Sequence, residues 1–200
     1  MSKWVNKTNR GVSDGVQVVA NGGNTIRPAC FILFTCVLMI WGSWPGTVKA
    51  KTFGTVEEVM GELFPGEALK RETLYLDKEE VKVIEQVAGS TLSSGIVYRY
   101  RCASGVGYLD SHRVRTLPET LLIVVANDGR VHKVKVLAFR EPEEYMPNDR
   151  WYAQFKSKAL SNDLQLKRSI DGKTGATLTA RATTQAVRRM LAVHQVESGL

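Results

Sequence analysis

The chain has 200 residues, 44% of them hydrophobic and 24% charged, with a formal net charge of +7; that composition excludes a disordered or fibrous chain and leaves one ordinary domain with some extra sequence. Five basic residues (Lys3, Lys7, Arg10, Arg27, Lys49) face one acid, Asp14, in the first fifty positions, so residues 51–200 keep 22 of the 27 basic and 19 of the 20 acidic residues, a net of +3. A domain that mildly basic gives no ground for a nucleic-acid partner, and the N-terminal excess points to membrane targeting instead.

Residues 1–28 are polar, Gly/Asn-rich and basic, and Pro28 closes them. The run Ala29–Trp44, A-C-F-I-L-F-T-C-V-L-M-I-W-G-S-W, follows without a charge. Its sixteen residues reach about 24 Å as a helix, against a bilayer core of roughly 30 Å. Residues 29–44 therefore read as a signal-peptide core or a signal anchor. A buried core helix is the remaining alternative, opposed by the lack of a polar stripe and by the basic flank. Pro45-Gly46 ends the run, and Val48-Lys49-Ala50 places small residues at both positions of a cleavage site after Ala50. Cleaved or retained, the segment puts residues 51–200 on the extracytoplasmic (periplasmic) side of the inner membrane. The exported part then holds one cysteine, Cys102, which makes no internal disulfide or zinc site and reads as a half-buried strand residue.

Within residues 51–200, Thr55-Val56-Glu57-Glu58 has the spacing of a capping box and predicts a helix over 56–64, stopped by Pro65-Gly66. Asp77-Lys78-Glu79-Glu80 repeats the signal and predicts a helix over 78–87 that ends at Gly89. Residues 95–102 predict a strand. Leu121–Ala126 and Val131–Phe139 flank Asn127-Asp128-Gly129-Arg130, predicting an antiparallel hairpin with Val134, Val136 and Ala138 on one face and Lys133, Lys135 and Leu137 on the other. A short helix is expected over 149–158, with Trp151 and Phe155 on one face. The last helix is expected over 180–194, with Ala182, Ala186, Met190 and Val193 as its stripe. No internal repeat is present. The fold class expected is α+β, an antiparallel sheet with helices packed on one side.

Near the C-terminus, Gly172-Lys173-Thr174 has the ending of a phosphate-binding P-loop, but Lys167 stands where that motif needs its first glycine. A nucleotide hydrolase is set aside on that ground. Gly175-Ala176-Thr177 puts two small side chains before a hydroxyl at the entrance to a helix. Small neighbours leave the hydroxyl open to attack a substrate held by another enzyme, and a helix N-terminus favours a phosphate. The residues alone leave two readings open: a threonine that carries a phosphate, and an ordinary helix N-cap by Thr177 or Thr179.

Asp171-Gly172-Lys173-Thr174-Gly175-Ala176-Thr177 resembles the D-x-x-[S/T]-G-A-[S/T] flavinylation motif of the FMN-binding domain family. That family includes the covalently flavinylated subunits of sodium-pumping NADH:quinone reductase and of the Rnf ferredoxin:NAD reductase. The hairpin ending at Glu141-Pro142, the stretch Trp151-Tyr152-Ala153-Gln154-Phe155, which is similar to W-x-x-Q-F, and Leu178-Thr179-Ala180-Arg181-Ala182 extend the likeness over roughly residues 105–190. It departs at Glu141–Pro147, E-P-E-E-Y-M-P, where the pump subunits read E-T-P-G-L-G.

The resemblance implies covalent FMN. A flavin transferase takes FMN from FAD and joins its phosphate to Thr177 as a phosphoester, with Thr174 and Thr179 as alternative positions. Asp171, Thr174, Gly175 and Ala176 become recognition and access residues. The N–H groups of Leu178 and Thr179 become partners for the phosphate oxygens. Glu141, His112 and Tyr145 are candidates for lining the flavin; a solvated loop role for Glu141 and Tyr145, and a surface role for His112, are the alternatives. The function implied is electron relay in a membrane-associated redox chain, by an electron-transfer domain and not a stand-alone enzyme. Its expected partners are the transferase, membrane redox subunits or another electron carrier, and the membrane through residues 29–44. Neither a metal nor nucleic acid is expected. The competing functional class is a non-redox exported binding module in which Gly175-Ala176-Thr177 is only a helix cap.

Overall fold

The structure is a computed structural model that describes residues 51–199, so the apolar segment 29–44, its basic flank and the site after Ala50 lie outside the described residues. Among the described residues, no helix is long and apolar enough to cross a membrane.

Both predicted capping boxes form. The Thr55 hydroxyl accepts from Glu58 N at 3.2 Å while Thr55 N donates to Glu58 Oε2 at 2.8 Å, opening α1 (Val56–Leu63). Asp77 Oδ1 accepts from Glu79 N and Glu80 N at 2.8 and 2.9 Å and opens α2 (Lys78–Ala88), which Gly89 closes in the left-handed conformation at φ 68°. These reciprocal bonds satisfy amide groups that helix starts otherwise leave unpaired.

Six strands form one antiparallel sheet among the described residues: β1 (Lys51–Thr52), β2 (Lys70–Tyr75), β3 (Ile96–Arg101), β4 (Gly105–Arg113), β5 (Pro118–Ala126) and β6 (Val131–Phe139). Their order is β1-β6-β5-β4-β3-β2, a meander with β1 added beyond β6. The β5–β6 hairpin turns at Asn127–Arg130, as its turn residues predict, with Gly129 at φ 75°.

One expectation is corrected: helices cover both faces of the sheet. On one face α2 and the C-terminal helix α4 (Thr177–Ser198) pack against Val97, Val106, Tyr108, Leu121, Ile123 and Val125. On the other, α1 brings Val56, Val59 and Met60 onto Tyr100, Leu122, Val124 and Leu137. Leu137, assigned to the polar face from the hairpin pattern, is buried beneath α1. Leu121–Val125 are all 0% exposed, as expected of a strand covered on both faces; burying side chains of this size stabilises the fold by roughly 1.5–3 kcal/mol each.

Two helix boundaries also differ. The segment 149–158 is a four-residue helix, α3 (Asp149–Tyr152), continued by a 3-10 turn over Ala153–Phe155. Lys156, at ψ 133°, leaves the helical conformation and ends it, and Ser157 follows at φ 62°. The last helix starts at Thr177 instead of 180, which puts the hydroxyl on its first turn. The carboxyl end of α2 is held by α4: Arg188 Nε donates to Ala88 O at 2.7 Å and Nη2 to Val87 O at 3.2 Å. A cation there satisfies terminal carbonyls and the negative end of the helix dipole.

Candidate functional site

The loop that carries Asp171–Thr177 hangs between two fixed ends. At its start Leu164 and Ile170 are buried at 1% and 0% exposure, and Lys167 N donates to Ile170 O at 2.8 Å. The next residue, Asp171, is gripped through its backbone on both sides. Asp171 N donates to Gln154 Oε1 at 2.9 Å, and Trp151 Nε1 donates to Asp171 O at 2.8 Å. The Asp171 side chain is left exposed.

Beyond Asp171 the chain makes a tight turn, with Ala176 N donating to Lys173 O at 3.1 Å. Gly175 is the third residue of that turn, at φ 81°, the position where a type II turn needs positive φ. A Cβ built on Gly175 meets nothing within 4 Å, so the backbone conformation alone calls for glycine. Ala176 is buried at 3% exposure, whereas Thr177 and Leu178 are exposed.

The two threonines expected as possible N-caps do other things. Ala176 is the N-cap and no side chain caps α4. Thr177 Oγ1 donates to Lys173 O at 3.3 Å, and the buried Thr179 donates to Tyr145 O at 2.6 Å. The first backbone bond of the helix is Ala180 N to Ala176 O at 2.9 Å. The amide groups of Thr177, Leu178 and Thr179 therefore precede the helical ladder, free of a side-chain cap, where a phosphate is favoured by both hydrogen bonding and the helix dipole.

Thr177 also borders a cavity of about 450 Å³, within the size range of small-molecule sites. Its charged lining residues are Lys167, Arg181 and Arg188, with no carboxylate among them. Arg188 is 7% exposed and donates only to backbone carbonyls of Val87, Ala88, Ser161 and Leu164; burial pulls its pKa down. Arg181 follows Thr177 by four residues and so shares its side of the helix. An anionic ligand fits this lining. Lys167 and Arg181 appear in the sequence only as a missing glycine and a motif neighbour, and Arg188 carries no mark there; the four-residue step from Thr177 to Arg181 was the available signal for a binding role.

The other three candidates lie elsewhere. Glu141 is buried at 7% exposure, not solvated, and accepts from Thr116 N at 2.7 Å and Leu117 N at 2.8 Å. The Leu117 amide, with those of Thr116 and Arg115, holds its carboxyl below the usual range despite burial. Tyr145 lines a separate cavity of about 510 Å³ with Glu141, its ring 5.0 Å beneath the Arg115 guanidinium. Its backbone carbonyl takes the hydroxyl of Thr179, two residues past the motif.

His112 is not at the surface: its side chain is 8% exposed. Nδ1 lies 2.7 Å from Asp110 Oδ1 and Nε2 lies 3.1 Å from Glu119 Oε2. Burial alone would lower its pKa, but hydrogen bonds to Asp110 and Glu119 raise it to about 9. Glu119, fully buried, also accepts from Tyr152 and Thr183, each at 3.2 Å, and Arg189 forks onto Asp110 at 2.9 and 3.2 Å. This chain of side chains ties β4 and β5 to α3 and α4. It positions α4 without lining the cavity beside Thr177.

Residues 117–192 match the family model of the FMN-binding domain. No curated protein and no solved structure matches the chain.

Proposed function

We propose, from the premise that residues 117–192 of this chain form a domain of the FMN-binding family, that this flavin-binding protein carries FMN covalently on Thr177 and relays electrons in a membrane-associated redox chain. The single observation that supports the attachment point most strongly is the state of the α4 amino end: an exposed Thr177 hydroxyl beside uncapped amide groups. The competing reading, a non-redox binding module with a helix cap by Thr177 or Thr179, loses that cap, because the two hydroxyls donate to Lys173 O and Tyr145 O instead.

In the attachment step, Thr177 Oγ forms the bond to phosphorus and gives up its proton. The phosphoanhydride bond to AMP breaks, AMP leaves, and the net balance is FAD plus threonine giving the phosphodiester, AMP and one proton. FAD and the flavin transferase are supplied from outside the chain. The Thr177, Leu178 and Thr179 amide groups then hold the phosphate, and Arg181 and Lys167 offset its charge. Glu141 and Tyr145 line a separate cavity. Once bound, FMN supplies reversible one- and two-electron transfer, for which the protein provides position and environment.

The wider setting belongs to the same proposal. Residues 29–44 tether the chain to the inner membrane or direct its export, and the domain works on the extracytoplasmic side with membrane redox subunits or another electron carrier. The test is co-expression with a flavin transferase followed by a denaturing gel. A fluorescent band that survives denaturation and disappears in Thr177→Ala is expected. A dark wild-type band beside an active transferase sinks the reading.

A further inference from the structure

We infer that Trp151 and Gln154 are positioning residues for flavin attachment, forming a two-sided clamp on the Asp171 peptide that presents the attachment loop to the transferase; this rests on covalent attachment at Thr177. Asp171 N donates to Gln154 Oε1 at 2.9 Å, and Asp171 O accepts from Trp151 Nε1 at 2.8 Å. One side chain therefore holds the amide entering Asp171 and the other the carbonyl leaving it. The two come from successive turns, α3 and the 3-10 turn after it, so they are set by a rigid element anchored through Trp151 and Phe155 at 4% and 0% exposure.

Past the clamp the loop is braced only locally among the described residues, Lys173 O accepting from Ala176 N and from the Thr177 hydroxyl. Neither Gly172 nor Gly175 offers a Cβ contact within 4 Å, and the Lys173–Ala176 turn is closed by one backbone bond. Buried Ala176 then fixes the start of α4. A short open turn with both ends fixed is already in one conformation when the transferase arrives, so ordering it costs that enzyme little. With its peptide fixed, Asp171 keeps its carboxylate outward, exposed at the rim of the loop. Gln154 is half-buried and its amide serves the loop, so its replacement leaves the apolar core intact.

The test uses the full chain and an active flavin transferase with FAD. Gln154→Leu removes the acceptor, and Gln154→Glu keeps an acceptor oxygen. Mass gain per unit time, amide exchange at Asp171 and the thermal midpoint are followed together. Gln154→Leu is expected to lose protection of the Asp171 amide and to be modified roughly five- to tenfold more slowly, the loss appearing in the transferase's KM for this chain. Gln154→Glu is expected to restore both the protection and the rate. Equal rates for wild type and Gln154→Leu, unchanged Asp171 protection, or failure of Gln154→Glu to rescue each overturn the clamp. Wild-type protein that gains no mass overturns the attachment reading instead. Should Gln154→Leu lower the thermal midpoint, the comparison moves to Trp151→Phe, for which slow modification with retained folding supports the clamp and a wild-type rate overturns it.

Discussion

His112 Nδ1 lies 2.7 Å from Asp110 Oδ1 inside the domain, both side chains less than one-tenth exposed. Asp110 is also gripped by Arg189, and His112 reaches on to Glu119. Burial alone would raise the Asp110 pKa; hydrogen bonding to His112 and the Arg189 charge outweigh it and hold it below the ordinary value of 3.8. A histidine whose folded pKa is about 9 against an ordinary 6.5 stabilises the fold fully below pH 6.5, and that contribution is lost as pH rises through 9. Its size is on the order of 3 kcal/mol. The thermal midpoint should fall between pH 7 and 10 in the wild type, and His112→Gln should start lower and lose most of that alkaline slope. An equal slope in the variant would show that His112 does not carry it.

Glu119 is the joint of the same network, with His112, Tyr152 and Thr183 all on its two oxygens. Glu119→Gln leaves the imidazolium facing a neutral amide in a buried setting. A loss of about 3 kcal/mol is expected by chemical denaturation. A loss under about 1 kcal/mol would mean the network is not coupled as its geometry indicates.

The two-faced sheet makes a packing prediction. Leu122→Ala, beneath α1 and 0% exposed, should cost about 2–5 kcal/mol. Tyr98→Ala, on β3, two strands from Leu122 and at 43% exposure, should cost under about 1 kcal/mol. Similar costs at the two sites would contradict coverage of that face by α1.

Gly175→Val forces a β-branched residue to φ 81° and should destabilise the attachment turn by about 1–3 kcal/mol. Gly172→Ala, with ordinary φ and open space, is the matched control. Flavin incorporation should slow in the first and stay near wild type in the second; equal rates would mean the turn conformation is immaterial.

Much of this was legible in the sequence, for local reasons. The two capping boxes and the Asn127–Arg130 turn are decided by a few adjacent residues, and both helices and the hairpin formed as read. The second covered face was written in Leu121–Val125, a run without alternation, but the Lys133–Lys135 alternation on the partner strand pointed the other way. β2 and β4 were not anticipated: Lys70–Tyr75 is polar because it is an edge, and Gly105–Arg113 carries glycines and a buried acid. Gly107 has a packing reason, since a Cβ there would lie 3.0 Å from Met60 Sδ. The Asp110–His112–Glu119–Arg189 chain could not be foreseen, because Arg189 meets Asp110 across 79 residues with no sequence spacing to mark it. At the candidate site Asp171–Thr177 was visible as a motif, while the cationic cavity and the Trp151–Gln154 grip needed the fold.

Intact mass spectrometry of the chain after incubation with flavin transferase and FAD, with Thr177→Ala alongside, tests covalent attachment directly. One added FMN less one water is expected on the wild type and no addition on the variant. An unmodified wild type, or an equal addition to Thr177→Ala, would contradict it.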